Sequence, residues 1–263
     1  VAHRVSWIPS ITGFMLVGLV LGPNVLGAFD YAALAEARIV VDIALALILY
    51  RLGLSLDIRK LVHDKPLLLV SVVESTLVFG AVFGALTWWG LAQLPSAVVA
   101  AIAISSSPAV LLHVAHELNA EGPVMQRAQA LVALNNVIAF LVFAALMPLL
   151  YGTSAAPMST VFGAPVYQLI GSTLLGILGG YALHHVARLT KSAAQYSLAL
   201  VVGAVALTLG LSQTFGLSAL FAPLVLGVVV RSLEKSDLIA NMAWGPAFEL
   251  FFIALFVYSG RNL

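Results

Sequence analysis

Charge is scarce in this chain. Only 9% of its 263 residues are Asp, Glu, Lys or Arg, where a soluble domain carries about 25%. Cysteine is absent, which excludes disulfides, thiolate metal sites and cysteine nucleophiles together and leaves the redox compartment unreadable. The net charge is +1, so no basic nucleic-acid face is legible and no nucleic-acid partner is expected. There is no glycine-rich loop ending in lysine, no HExxH pair and no Ser/His/Asp arrangement. Nothing therefore points to an enzyme, and no cofactor or metal is implied. A signal peptide is missing too: the sequence opens at Val1, close to a full apolar span, and its true start is expected to lie upstream.

Hydrocarbon dominates what is present, at 62% of residues. No soluble fold of this length could hide so much apolar surface, so the chain reads as a polytopic membrane protein. A span needs about 20 apolar residues to cross about 30 Å of lipid tails. Proline, glycine and charge clusters divide the sequence into nine such stretches, roughly 7–27, 38–56, 66–92, 96–116, 123–151, 165–189, 193–213, 217–232 and 240–260. The third and fifth are long enough to tilt. Backbone groups in lipid must be satisfied within their own segment, and the spans lack a barrel's alternation, so helices are expected throughout. Short loops on one side then hold Arg4, Arg59, Lys60, Lys65, Arg127, Arg188, Lys191, Arg231 and Lys235, and those on the other only Arg38 and Arg261. That bias places residue 1 on the cytoplasmic side, and one missed span would have scrambled it.

Two pairs of segments look related. Asp42 to Gly53 and Glu249 to Gly260 each begin with an acid and reach a glycine eleven residues later, and Ser10 to Gly18 loosely matches Ser218 to Gly227. Related spans of opposite direction mark an inverted repeat, a common plan in secondary transporters. Residues 1–151 would form the first half, lacking its first span. A linker helix falls within 152–192, and 193–263 begins the second half.

Polar residues stand out against this background. In Ile104-Ser-Ser-Ser-Pro108 the proline cannot donate its backbone bond and crowds the preceding turn. Ser105, Ser106 and Ser107 either satisfy a simple kink by packing or line a true break whose half-helix ends attract ions. Asn135 and Asn136 lie about a dozen residues into the fifth span. Their amides either glue helices together or offer oxygens to a cation, and they take up no proton at ordinary pH. Glu74 is ionisable within the third span, with Ser71 and Ser75 near enough in sequence to satisfy it. It reads as an ion-site member or as a solvated group near the headgroups, paired with Lys65. Asp42 and Glu249 read as helix-end residues, His184-His185 as an interfacial basic cluster with Arg188, and Trp88, Trp89 and Trp244 as interface anchors.

These motifs together resemble the monovalent cation/proton antiporters, most closely the Kef-type potassium-efflux branch. Residues 11–27 are similar to that family's glycine-rich helix closing in Leu-Gly-Pro, and Leu49 to Asp57 resembles its Gly-Leu-Glu-Leu-Asp segment. Ala103 to Ala109 resembles its broken helix, and Leu134 to Ala139 its ion-binding helix. Leu217 to Gly227 and Phe248 to Gly260 resemble the start of its second half. The likeness runs the whole length of the chain.

The resemblance implies an all-α fold. It would be a polytopic transmembrane helix bundle of about nine spans, part of an inverted-repeat antiporter fold with a broken helix. The family has about thirteen spans, so this chain would lack the first and the last three, with the second broken helix among them. It also implies a still scaffold that dimerises, a sliding core, and exchange of K+ or Na+ for protons across a bacterial inner (plasma) membrane. The implied ion site is Asn135 and Asn136 with Ser105, Ser106 and Ser107 of the break, and Glu74, read from its place in the third span, is a further candidate. Asn136 stands where the family normally places an aspartate, and Asn135 where it places that aspartate's polar neighbour. An amide changes charge for neither proton nor cation, so coupling is expected to be impaired. The alternative is a transport-inactive regulatory or binding membrane protein that retains the fold.

Overall fold

The computed structural model describes residues 10–22, 25–27, 31–56, 58, 63–151, 158–189, 193–233 and 245–260. Of the residues singled out above, Arg4, Arg59, Lys60, Lys191, Lys235, Arg261, Trp244 and the side chain of Glu249 lie outside that set. Ten helices and no strand occur among the described residues: α1 (Ser10–Leu21), α2 (Tyr31–Ser55), α3 (Lys65–Trp88), α4 (Gln93–Ala103), α5 (Pro108–Glu117), α6 (Pro123–Tyr151), α7 (Met158–Leu189), α8 (Ala193–Thr214), α9 (Phe221–Leu233) and α10 (Gly245–Gly260). Lys65–Trp88, Gln93–Glu117, Pro123–Leu146 and Val166–Leu189 are long and apolar enough to cross a membrane. The expected all-helical bundle is what the chain forms.

Large apolar side chains face outward, as lipid rather than water requires. On α3, Leu69, Val72 and Leu77 are 55–67% exposed, and Trp88 and Trp89 at its end are exposed as well. The helix stops where Gly90 takes φ +94°, a conformation that costs glycine nothing. At its start Asp64 Oδ1 accepts from the Leu67 backbone N–H at 3.2 Å, satisfying one orphan donor of the first turn.

The interior has two clusters of helices. In the first, α2 is the most enclosed element: Leu47, Ile48, Tyr50 and Leu52 are all but inaccessible, against Val201 and Val205 of α8 and Leu226 and Val230 of α9. Glycines set the helix spacing here. A Cβ on Gly53 would overlap the Leu224 carbonyl oxygen, and a Cβ on Gly227 the Tyr50 carbonyl oxygen, so α2 and α9 cross backbone to backbone. α1 and α10 cross in the same manner, Gly18 on the Val257 carbonyl and Gly260 on the Met15 carbonyl. In all four cases the carbonyl belongs to the residue three before the facing glycine. α10 also packs on α2, which makes α1, α2, α9 and α10 one locked unit. α7 lies along α9 through Gly176 and Gly180, where a Cβ would strike Ala222, Val225 and Val229. Tyr167 Oη of α7 donates to the Phe215 carbonyl at 3.1 Å and Ser172 Oγ accepts from the Ser218 N–H at 2.9 Å, fastening the turn that leads into α9.

The second cluster is α3, α4 and α6, each packed against the other two, with α5 leaning on α6 and α2. An ion pair ties two of its ends, Arg127 Nη2 of α6 lying 3.5 Å from Asp64 Oδ2 before α3.

α2 begins at Tyr31, seven residues earlier than the span read from hydropathy. Asp42 therefore sits inside the helix, not at its end, and pairs with Arg38 one turn back at 4.0 Å.

Candidate ion-binding site

The span from Gln93 to Glu117 is broken, not merely kinked. α4 ends at Ala103, Ser105–Ser107 are non-helical, and α5 restarts at Pro108. Proline at the first helical position has no N–H to orphan and its fixed φ suits a helix start. The serines serve the break locally. Ser107 Oγ accepts from the Val110 N–H at 3.3 Å as the cap of α5, and Ser105 Oγ donates to the Ile102 carbonyl at 2.8 Å.

Unwinding strips the Ser106 carbonyl of a helical partner, and α6 supplies one. Asn136 Nδ2 donates to the Ser106 oxygen at 2.7 Å and to the Val132 oxygen of its own helix, also at 2.7 Å. Both partners are carbonyls and can only accept, so it is the nitrogen of the amide that faces them and Oδ1 that faces away. Asn136 is half-buried. The two hydrogens of its amide are committed to pinning the break onto α6.

Asn135 has the opposite polarity. It is 3% exposed, and its Oδ1 accepts from Ser71 Oγ at 2.8 Å and Ser75 Oγ at 3.5 Å, both buried on α3. The two serines are one helical turn apart and so share a face. They meet Asn135, not Glu74, which is exposed on the same helix. Five of the six candidate residues are thus distributed over the break and the adjoining turn of α6, and Glu74 stands outside them. Ser71, Ser75 and the Val132 carbonyl join the cluster by hydrogen bonds to the two asparagines. Their signal in the sequence was the four-residue spacing of the two serines. Among the described residues no group of three metal-ligating side chains occurs.

Removing these hydroxyls should have graded effects. Ser71→Ala takes the better donor from a buried amide and is expected to lower stability by about 1 kcal/mol. Ser75→Ala, at the edge of hydrogen-bond range, should cost less than half of that. Thermal unfolding in detergent reads both, and equal losses would contradict the geometry.

What the site offers is neutral oxygen: an amide, hydroxyls and unwound carbonyls beside the C-terminal end of half-helix α4, the negative end of its dipole. Such dipoles hold a monovalent cation without a full negative charge. Within it there is no group that gains or loses a proton near neutral pH.

The chain matches the sodium/hydrogen exchanger, transmembrane, family over residues 1–263. Its fold is similar to that of the sodium proton antiporter MjNhaP1 from Methanocaldococcus jannaschii at pH 8, with a TM-score of 0.64 and 20% sequence identity. The match covers 97% of this chain and 65% of that one. The chain thus spans about two thirds of the antiporter's length. No curated protein matches it. This helical membrane protein, its serine-proline break pinned to Asn136 and its residues 1–263 matched by the family model, belongs to the sodium/hydrogen exchanger family.

Proposed function

We propose that this chain is the membrane portion of a secondary transporter exchanging K+ or Na+ for protons, with the cation held at the α4–α5 break by Ser105, Ser106, Ser107, Asn135 and Asn136. The observation that carries the reading is the Asn136 amide on the unwound Ser106 carbonyl. A carbonyl released from a helix at membrane depth needs a donor or a cation, and here the donor is a side chain able to swing away. The site lies among α3, α4 and α6, next to the unit formed by α1, α2, α9 and α10. A rigid unit beside a separately bonded cluster is the arrangement that alternating access requires.

The reciprocal glycine crossings support an inverted repeat. Exchanging α1 with α9 and α2 with α10 turns one crossing into the other, carbonyl for carbonyl. That supports halves at 1–151 and 193–263 joined by a linker helix within 152–192. We extend the proposal to a homodimer in a bacterial inner membrane with residue 1 on the cytoplasmic side. The Asn136 position makes coupling at the break weaker than in an acidic site, since its amide carries no exchangeable charge. A transport-inactive binding or regulatory protein is the second reading. It is favoured by the same bond, because both Asn136 hydrogens are already spent on carbonyls that a cation would otherwise use.

Proteoliposomes separate the two. Under exchange, an outward K+ or Na+ gradient drives a pH change inside vesicles that a protonophore abolishes. No cation-dependent pH change with either ion would leave only the second reading.

A further inference from the structure

The amide site lacks a proton carrier, and one other group on the broken helix can supply it. His113 lies on α5, seven residues past Ser106 and about two turns below the break. Its imidazole is half-buried and ringed by phenylalanines from the locked unit. Phe252 of α10 is 5.1 Å away between ring centroids at 58°, Phe256 of α10 is 6.0 Å away at 66°, and Phe14 of α1 is 6.2 Å away at 72°. Phe252 and Phe256 are themselves nearly parallel. Each phenylalanine therefore meets the imidazole at a steep angle.

We propose that His113 is the proton-binding residue of the exchange, carried on the broken helix and read by the Phe14/Phe252/Phe256 cage. The proposal rests on the exchange reading given above and names the group that titrates within it. Two physical facts support it. Histidine is the side chain whose ordinary titration falls between pH 5 and 8, and an ionisable residue at membrane depth is a functional group by default. Second, the cage suits both states. Neutral imidazole packs as an aromatic edge, while imidazolium gains the attraction of the ring faces.

The charge balance is simple. Protonated, His113 itself contributes one positive charge to the half-helix. A monovalent cation arriving at the break brings a second, so the imidazolium releases its N–H proton and the sum of the two returns to one. The neighbouring elements bring other candidates. α1 has none within Ser10–Leu21. α10 carries Glu249 and Tyr258, α2 carries Tyr31, Glu36, Arg38, Asp42, Tyr50 and Arg51, and α6 carries Arg127 at its start and Tyr151 at its end. On α5 itself His116 and Glu117 are exposed at the end. The ring sits where a cluster that shifts must slide past a unit that does not, so its charge also acts on that contact.

The test is proton release from the purified full chain in weakly buffered detergent as K+ or Na+ is added, with binding followed by calorimetry. Wild type is expected to release about one proton per cation bound. His113→Phe, which keeps an aromatic in the cage, and His113→Gln should bind the cation, release none, and lose exchange in proteoliposomes by about tenfold or more. Release undiminished in either variant overturns the proposal and leaves the exchange reading standing, as does release lost in Glu249→Gln but kept in His113→Gln. Cation binding by wild type without release sinks the exchange reading and this proposal with it. Should both variants fail to fold, acylation of His113 by diethyl pyrocarbonate in wild type decides. That reagent attacks neutral imidazole, so cation at fixed pH should raise labelling of the His113 peptide severalfold, and unchanged labelling overturns the assignment.

Discussion

Asn136→Asp should strengthen cation binding about tenfold or more, worth about 1.4 kcal/mol, and make that binding compete with protons. The reason lies in what the side chain touches. The Asn136 nitrogen donates to two carbonyls, Ser106 and Val132, at 2.7 Å each. An aspartate oxygen placed there faces acceptors only. An acceptor against an acceptor at membrane depth is unfavourable unless something positive lies between them. The carboxyl then has two ways out: it keeps its proton and donates, or it takes a cation that the carboxylate and the Ser106 carbonyl share. Those options exclude one another, and their exclusion is the chemistry of exchange at a single group. Asn135→Asp makes the control. Its Oδ1 already accepts from Ser71 and Ser75, so a carboxylate there finds donors without recruiting a cation. It should alter cation binding far less than the neighbouring change. Isothermal titration with K+ and Na+ at two pH values measures both. Equal effects at 135 and 136, or none at 136, would show that the break is not where the cation binds.

Much of this arrangement was legible in the amino-acid order, and the part that was not has physical causes. Apolar runs are long and charges rare, so Pro, Gly and basic residues punctuate the spans cleanly, and the described helices follow the spans within a few residues at most ends. The starts of α2 and α7, each seven residues earlier than expected, are exceptions, and the first is the instructive one. Tyr31 to Arg38 contains Ala, Leu, Glu and Arg, strong helix formers, but too polar to count as hydrocarbon, so a reading based on hydropathy starts the helix late and puts Asp42 at its end. The break at Ser105–Ser107 was open to two interpretations because a proline kink and a true interruption share one sequence. Only the Ser106 carbonyl, taken up by Asn136, separates them. The partners of Ser71 and Ser75 were misplaced for a different reason. Glu74 is their neighbour in sequence and close to Ser71 on the helix surface, but it is exposed while Ser71 and Ser75 are buried. Asn135, which they do meet, is 64 residues from Ser71, and no local pattern announces a pairing across such a distance. His113 was the residue most open to discovery from sequence alone, being an ionisable group in the apolar part of a half-helix, ahead of His116 and Glu117 at its end. What sequence withheld was the cage, built from α1 and α10 at opposite ends of the chain.

The glycine crossings carry the other large expectation, and it is a pattern of opposite signs. At Gly53 and Gly227 a methyl group would run into the backbone of the facing helix, and backbone has no rotamer to move. α2 and α9 would have to separate, losing close contact along the most enclosed stretch of the molecule. Overpacking of a tight interior costs typically 1–3 kcal/mol and occasionally more, so Gly53→Ala and Gly227→Ala should each cost about 3 kcal/mol, and a leucine at either position should abolish accumulation of folded protein. Gly80 and Gly84 on α3 have nothing within 4 Å of where a Cβ would stand. Alanine there removes the conformational entropy that glycine loses in a helix interior, about 0.5–1 kcal/mol, and should be neutral or stabilising. Thermal unfolding in one detergent places all four on a common scale. The proposed repeat sharpens the test. If α1 and α10 are the counterparts of α9 and α2, then Gly18→Ala and Gly260→Ala meet carbonyls at the same offset and should fall with the costly pair. Losses at Gly53 and Gly227 alone would mean that the second crossing bears no load and that the likeness of the two is one of shape only. Losses at all four positions would show that one packing solution, used twice in opposite directions, holds the rigid unit together.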